Sequence, residues 1–118
     1  MIPRTAFFGV LLLVASQAFG HTKLAGSTPA ADATVAHPPE SLVLEFQEPV
    51  RLTVVTLADA AGATKSLSPV PAETAARFVL EVREALAAGS YLVTWRAVGA
   101  DTHVVSGEIA YRVGAATP

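Results

Sequence analysis

The sequence predicts an all-β protein, an antiparallel sandwich of about seven short strands, on three observations. Apolar residues recur at period two in several separate runs, turn-forming residues punctuate the chain between those runs, and no helical stretch is long enough to stand alone. The chain has 118 residues, room for one such domain and not comfortably for two.

Taken in order, the first twenty residues form no part of the sandwich. Met1-Ile2-Pro3-Arg4 carries the start amine and one arginine, and an apolar run from Ala6 to Ala15 follows. Ser16-Gln17-Ala18-Phe19-Gly20 then closes on a small-x-small pattern. A basic head, an apolar centre and a small-residue ending are the layout of a secretory signal, so residues 1–20 are expected to be removed and residues 21–118 to form the domain. The apolar run falls short of the roughly 20 residues a membrane-spanning helix needs; an uncleaved anchor is the alternative.

Within the domain, Leu42, Leu44 and Phe46 alternate with Val43 and Glu45, and Phe78, Leu80 and Val82 with Val79, Glu81 and Arg83. Tyr91, Val93 and Trp95 alternate with Leu92, Thr94 and Arg96, and Ile109, Tyr111 and Val113 with Ala110 and Arg112. Such alternation turns one set toward a core and the other toward solvent, the mark of half-buried strands. Leu52-Thr53-Val54-Val55-Thr56-Leu57 is rich in β-branched residues and reads as a further strand. Turns are expected at Thr28-Pro29, His37-Pro38-Pro39, Asp59-Ala60-Ala61-Gly62, Ser68-Pro69-Val70-Pro71 and Ala88-Gly89-Ser90. Glu84-Ala85-Leu86-Ala87-Ala88 is the one helix-like segment, and it is too short to stand by itself. The pattern is that of an immunoglobulin-like sandwich.

Composition removes several functions. Without Arg4 the Lys and Arg count falls from 8 to 7 against 10 Asp and Glu, a net charge of −3 for residues 21–118. A mildly acidic domain with no basic run has no electrostatic footprint for nucleic acid and no polybasic patch for anionic lipid. There is no cysteine, which excludes thiol catalysis, iron–sulfur clusters and zinc fingers. The single methionine is Met1, so no thioether cluster is present to hold Cu(I). Nor is there a Gly-x-Ser-x-Gly elbow, a phosphate loop or a defensible carboxylate pair, so the protein is not expected to be an enzyme.

What remains is nitrogen and oxygen chemistry around three histidines, His21, His37 and His103. His21 directly follows the expected cleavage point and would offer its freed α-amine together with its imidazole. Those groups have ordinary pKa values of about 7.7–8.0 and 6.5, so both can bind metal near neutral pH. Asp101-Thr102-His103, if extended, would place its carboxylate and imidazole on one face with Cα atoms about 6.6 Å apart. Together the three residues offer four nitrogen and oxygen donors, a set that suits tetragonal Cu(II). Taken separately, each half has an ordinary explanation as an accidental first residue or a surface ion pair. Glu48, at a strand end, is a candidate to orient a ligand or sit axially. His37 is expected to be a solvated loop residue and Trp95 a core anchor.

Several ordered motifs resemble one family, the CopC-type periplasmic copper-binding (copper resistance) proteins. The start from His21 to Ala30 resembles its opening His-x-x-Leu-x-x-Ser-x-Pro-Ala, and Leu44-Glu45-Phe46-Gln47-Glu48 its Leu-x-Phe-x-Glu segment. The stretch from Gly89 to Val98, followed by Asp101, His103 and Gly107, resembles Gly-x-Tyr-x-Val-x-Trp-Arg with a later Asp-x-His. The resemblance implies a Greek-key β-barrel or sandwich, a bacterial periplasmic location and one Cu(II) held by His21, Asp101 and His103, with Glu48 nearby. It also implies a role in copper tolerance, storage or delivery, as a monomer working with a separate CopD-like inner-membrane protein. Gly99-Ala100 departs from the family's serine-containing pair, and the methionines of its Cu(I)-binding members are missing. Two other readings stay open: a copper enzyme, since an N-terminal histidine with a second histidine resembles the copper brace of lytic polysaccharide monooxygenases, and a metal-free immunoglobulin-like interaction module.

Overall fold

A computed structural model describes residues 24–115. Seven strands occupy most of that stretch, and no described residue is helical. They are β1 (Leu24–Thr28), β2 (Ala33–Val35), β3 (Ser41–Asp59), β4 (Thr64–Lys65), β5 (Ala75–Glu81), β6 (Gly89–Gly99) and β7 (Val104–Val113). The expected all-β sandwich is what the chain forms.

One long strand organises it. The first half of β3 pairs antiparallel with β1 on one side and β5 on the other, through Leu44↔Ser27 and Leu44↔Phe78. Its second half pairs with β6 and β4, through Leu57↔Val93 and Leu57↔Lys65. The exchange of partners happens across Gln47-Glu48-Pro49, where the register shifts and Val50 faces both Ala75 and Gly99. Proline has no amide hydrogen to give a ladder, so a strand bends most easily there. The sheet thus curls on itself and encloses its own core, with β6 leading on to β7 and β7 to the parallel strand β2.

The alternating residues close that core as expected. Leu42, Leu44, Phe46, Phe78, Leu80, Tyr91, Val93, Trp95, Ile109, Tyr111 and Val113 are all buried. Phe46 ties the two halves together, its ring edge-on to Phe78 at 6.0 Å and to Trp95 at 5.1 Å. Such perpendicular contacts add about 0.5–1.5 kcal/mol each beyond area burial. Trp95 needs the glycine across from it. A Cβ on Gly107, its register partner, would stand 2.7 Å from the indole, closer than real Cβ atoms come. Tyr91 and Tyr111 stack at 5.6 Å, and burial pushes the Tyr111 phenol up to about 12. The helix-like segment at residues 84–88 is a loop whose Leu86 plugs the core, because five residues make little more than one turn and cannot repay the cost of nucleating a helix.

Candidate metal centre

β6 and β7 form a hairpin, and its tip carries the aspartate and histidine singled out from the sequence. The tip is tight. Gly99 N–H donates to the His103 carbonyl at 3.0 Å, and Thr102 N–H to the Gly99 carbonyl at 2.9 Å. This leaves a three-residue loop whose last member, Thr102, sits in the left-handed region with φ at 66°.

The Asp-x-His triplet is therefore a turn and not an extended segment. The difference changes how its side chains meet. In a strand they would stand side by side; here the chain folds the carboxylate back onto the imidazole. Asp101 Oδ1 accepts the His103 backbone N–H at 3.1 Å, and Oδ2 accepts from His103 Nδ1 at 2.9 Å. These two bonds from His103, the ring bond first, hold the Asp101 carboxyl below its usual pKa, so it is an anion at neutral pH. The pair is open to water, with side chains 81% (His103) and 69% (Asp101) exposed.

The remaining predicted residues are distributed unequally. His21 lies outside the described residues, as does the expected signal peptide. β1 begins beside the bend at residues 47–49, because Leu24 pairs with Phe46. That bend is at the hairpin-tip end of the sandwich, since Val50 pairs with Gly99. Glu48 is in the bend and exposed, but among the described residues no three His, Asp or Glu side chains converge as a metal cluster. His37 is far away. It follows β2, whose Val35 pairs with Val113, nine residues along β7 from the tip and so about 30 Å distant. The positive φ at Thr102 is a feature sequence reading missed, and the spacing held a clue. Alternation stops at Val98 and resumes at Val104, which leaves room only for a hairpin tip.

Comparison with known proteins places the chain as a whole. A family model described as the CopC domain matches residues 24–114. The chain belongs to the CopC family. This CopC chain is 38% identical over 117 residues to copper resistance protein C of Escherichia coli, covering 89% of itself and 90% of that protein. It is 31% identical over 125 residues to copper resistance protein C of Pseudomonas syringae pv. tomato, with coverage of 96% and 98%. Among solved structures it resembles PcoC, a methionine-rich copper resistance protein from Escherichia coli, with a TM-score of 0.64 and 33% identity over 80% of this chain and 99% of that one. The fold also matches CopC from Methylosinus trichosporium OB3b, with a TM-score of 0.70 at 24% identity over 83% and 98% of the two chains.

Proposed function

We propose that this CopC chain is a periplasmic Cu(II)-binding protein that holds one ion through His21, Asp101 and His103, for copper tolerance, storage or delivery. The observation that carries the reading is the 2.9 Å separation of Asp101 Oδ2 and His103 Nδ1. Two donors each about 2.0 Å from a divalent ion stand about 2.8 Å apart when they meet it at a right angle, and about 3.3 Å apart at a tetrahedral angle. The separation, that of a hydrogen bond between two exposed groups, keeps both donors within reach of one small ion, and the nitrogen and oxygen donor set favours Cu(II). Chelation then asks for rotation of two exposed side chains and no movement of backbone.

The ion would replace the proton now shared between the two groups, and the amine and imidazole of His21 would fill the other two equatorial places. The register of β1 supports this, because its first residue, Leu24, pairs with Phe46 beside the bend at the hairpin-tip end. Two residues between His21 and Leu24 make a short tether, so little freedom is lost when the terminus closes on the ion. Periplasmic location rests on the expected signal peptide, and a separate CopD-like membrane protein is the delivery partner this reading takes.

Protein beginning at His21 should take up one equivalent of Cu(II) and give a tetragonal, nitrogen-rich paramagnetic resonance spectrum. Zinc should compete poorly. Uptake should release protons, because the ligands must be deprotonated to bind the ion, so affinity falls as pH drops. A tetrahedral spectrum, or equal affinity for zinc, would contradict the reading.

A further inference from the structure

The outer face of the sheet formed by β3, β6 and β7 is unlike the rest of the surface. Exposed large hydrophobic residues number four among the described residues, and three of them, Val54, Leu92 and Val104, lie on this face at 42%, 36% and 61% exposure. The register shows how they are arranged. Arg51, Val98 and Val104 form one row across the three strands, and Val54, Arg96 and Ser106 the next. The inward neighbours Leu52 and Ala97 are buried, which turns these rows to solvent.

Charge adds a second, independent observation. Arg51 and Arg96 form no ion pair with any described residue, nor does Arg112 three rows beyond Arg96, which donates to Ser90 Oγ at 2.7 Å; Lys65, Arg77 and Arg83 each have a carboxylate partner. One carboxylate, Glu108, stands on the face a row beyond Arg96. The whole chain has a net charge of −2, so a face with three arginines outside any ion pair and one glutamate is locally of the opposite sign. Between Arg96 and Glu108, over Gly107, the surface sinks into a groove of about 550 Å³. Small residues such as Thr94 and Ser106 leave that groove open.

We propose that this face docks a protein partner that presents carboxylates beside an apolar patch. Exposed valines and a leucine supply area that gains by leaving water, and Arg51 and Arg96 select an acidic counterpart and exclude a basic one. Arginine suits the task because its planar fork takes a carboxylate with two bonds. A second copy of this chain is a poorer fit, since each copy offers the two arginines one carboxylate. The row containing Val104 adjoins His103, so a partner seated here would lie beside the hairpin tip. The inference does not depend on the metal.

The test is a photocrosslinker, p-benzoylphenylalanine, put in place of Thr94 in cells that make the protein, with Val79 on the outer face of β5 as control. The Thr94 position should give an adduct to another protein, through a peptide that contains Asp or Glu; the Val79 position should not. Arg51→Glu with Arg96→Glu should lower adduct yield at least about ten-fold, and Arg51→Lys with Arg96→Lys should keep most of it. If the double reversal fails to fold, judged by its melting curve, loss of the original adduct at high salt is the equivalent reading. No adduct, an adduct to lipid or to a second copy, equal labelling from Val79, or indifference to both charge and salt would overturn the proposal.

Discussion

Two hairpin tips of this protein share one backbone design and use it for opposite ends. In the tip between β3 and β4, Asp59 N–H donates to the Ala63 carbonyl and Gly62 N–H to the Asp59 carbonyl, both at 2.9 Å. The tip between β6 and β7 repeats this bond for bond, with Gly99, Thr102 and His103 in place of Asp59, Gly62 and Ala63. Both reach the left-handed region at the same position, Gly62 at 86° and Thr102 at 66°. The residues are otherwise rearranged. In the first tip the aspartate opens the loop, and its carboxylate takes the Ala61 and Ala63 amides at 2.9 Å and Lys65 at 3.4 Å. In the second the aspartate has moved to the tip, and both its bonds go to a single histidine.

The difference separates a carboxylate tied into its own turn from one whose partner is a single histidine. Asp59 is held by groups that cannot leave without opening the hairpin, and its side chain is 28% exposed. Asp101 is more than twice as exposed, and its partner is an exposed imidazole, a side chain of the kind the proposed site would use. The second tip also puts a β-branched residue where the first has glycine, a choice that costs about 1–2 kcal/mol of backbone strain. Stability and availability of donors pull the same loop toward different sequences.

Ways to break this comparison differ in expected size. His103→Ala should lower Cu(II) affinity about 100-fold or more, while Asp59→Ala leaves it unchanged in a competition titration; equal losses would erase the distinction. Gly62→Thr, which imposes on the first tip the residue type of the second, should cost about 1–2 kcal/mol in urea unfolding. No neighbouring atom lies within 4 Å of the added Cβ, so that cost is backbone strain alone. The reciprocal Thr102→Gly should stabilise the metal-free protein by about 0.5–1 kcal/mol, the relieved strain less the greater freedom of unfolded glycine.

The smallest effect concerns acid. The Ala63 amide, foremost among its partners, holds the Asp59 carboxyl below its ordinary value of 3.8. A depressed carboxyl contributes stability above its unfolded pKa and loses it as pH falls through the folded one. Asp59→Asn should therefore flatten the decline in melting temperature below about pH 4. An unchanged acid limb would mean that this carboxylate does not tie the first tip.

Much of this organisation could be read from the sequence, and the failures have physical causes. Strands that carry long alternation, such as Tyr91 to Trp95, were plain because each inward residue is buried. Residues 42–46 and 52–57 read as two strands because Pro49 normally ends a ladder; they are one, since the partners change at the bend. Ala33-Thr34-Val35 is too short to show a period and owes its form to parallel pairing with the distant end of β7. Asp101 and His103 were legible as chemistry, and their contact was not, because a threonine in the left-handed region is a conformation its own preferences oppose.

The most direct measurement compares the chain that begins at His21 with one that keeps Gly20 in front of it. Competition titration with Cu(II) should find the longer protein at least about 100-fold weaker, since its first amine no longer belongs to the residue that supplies an imidazole. Equal affinity in the two would show that the terminus is not a ligand, and the proposed copper site would fall.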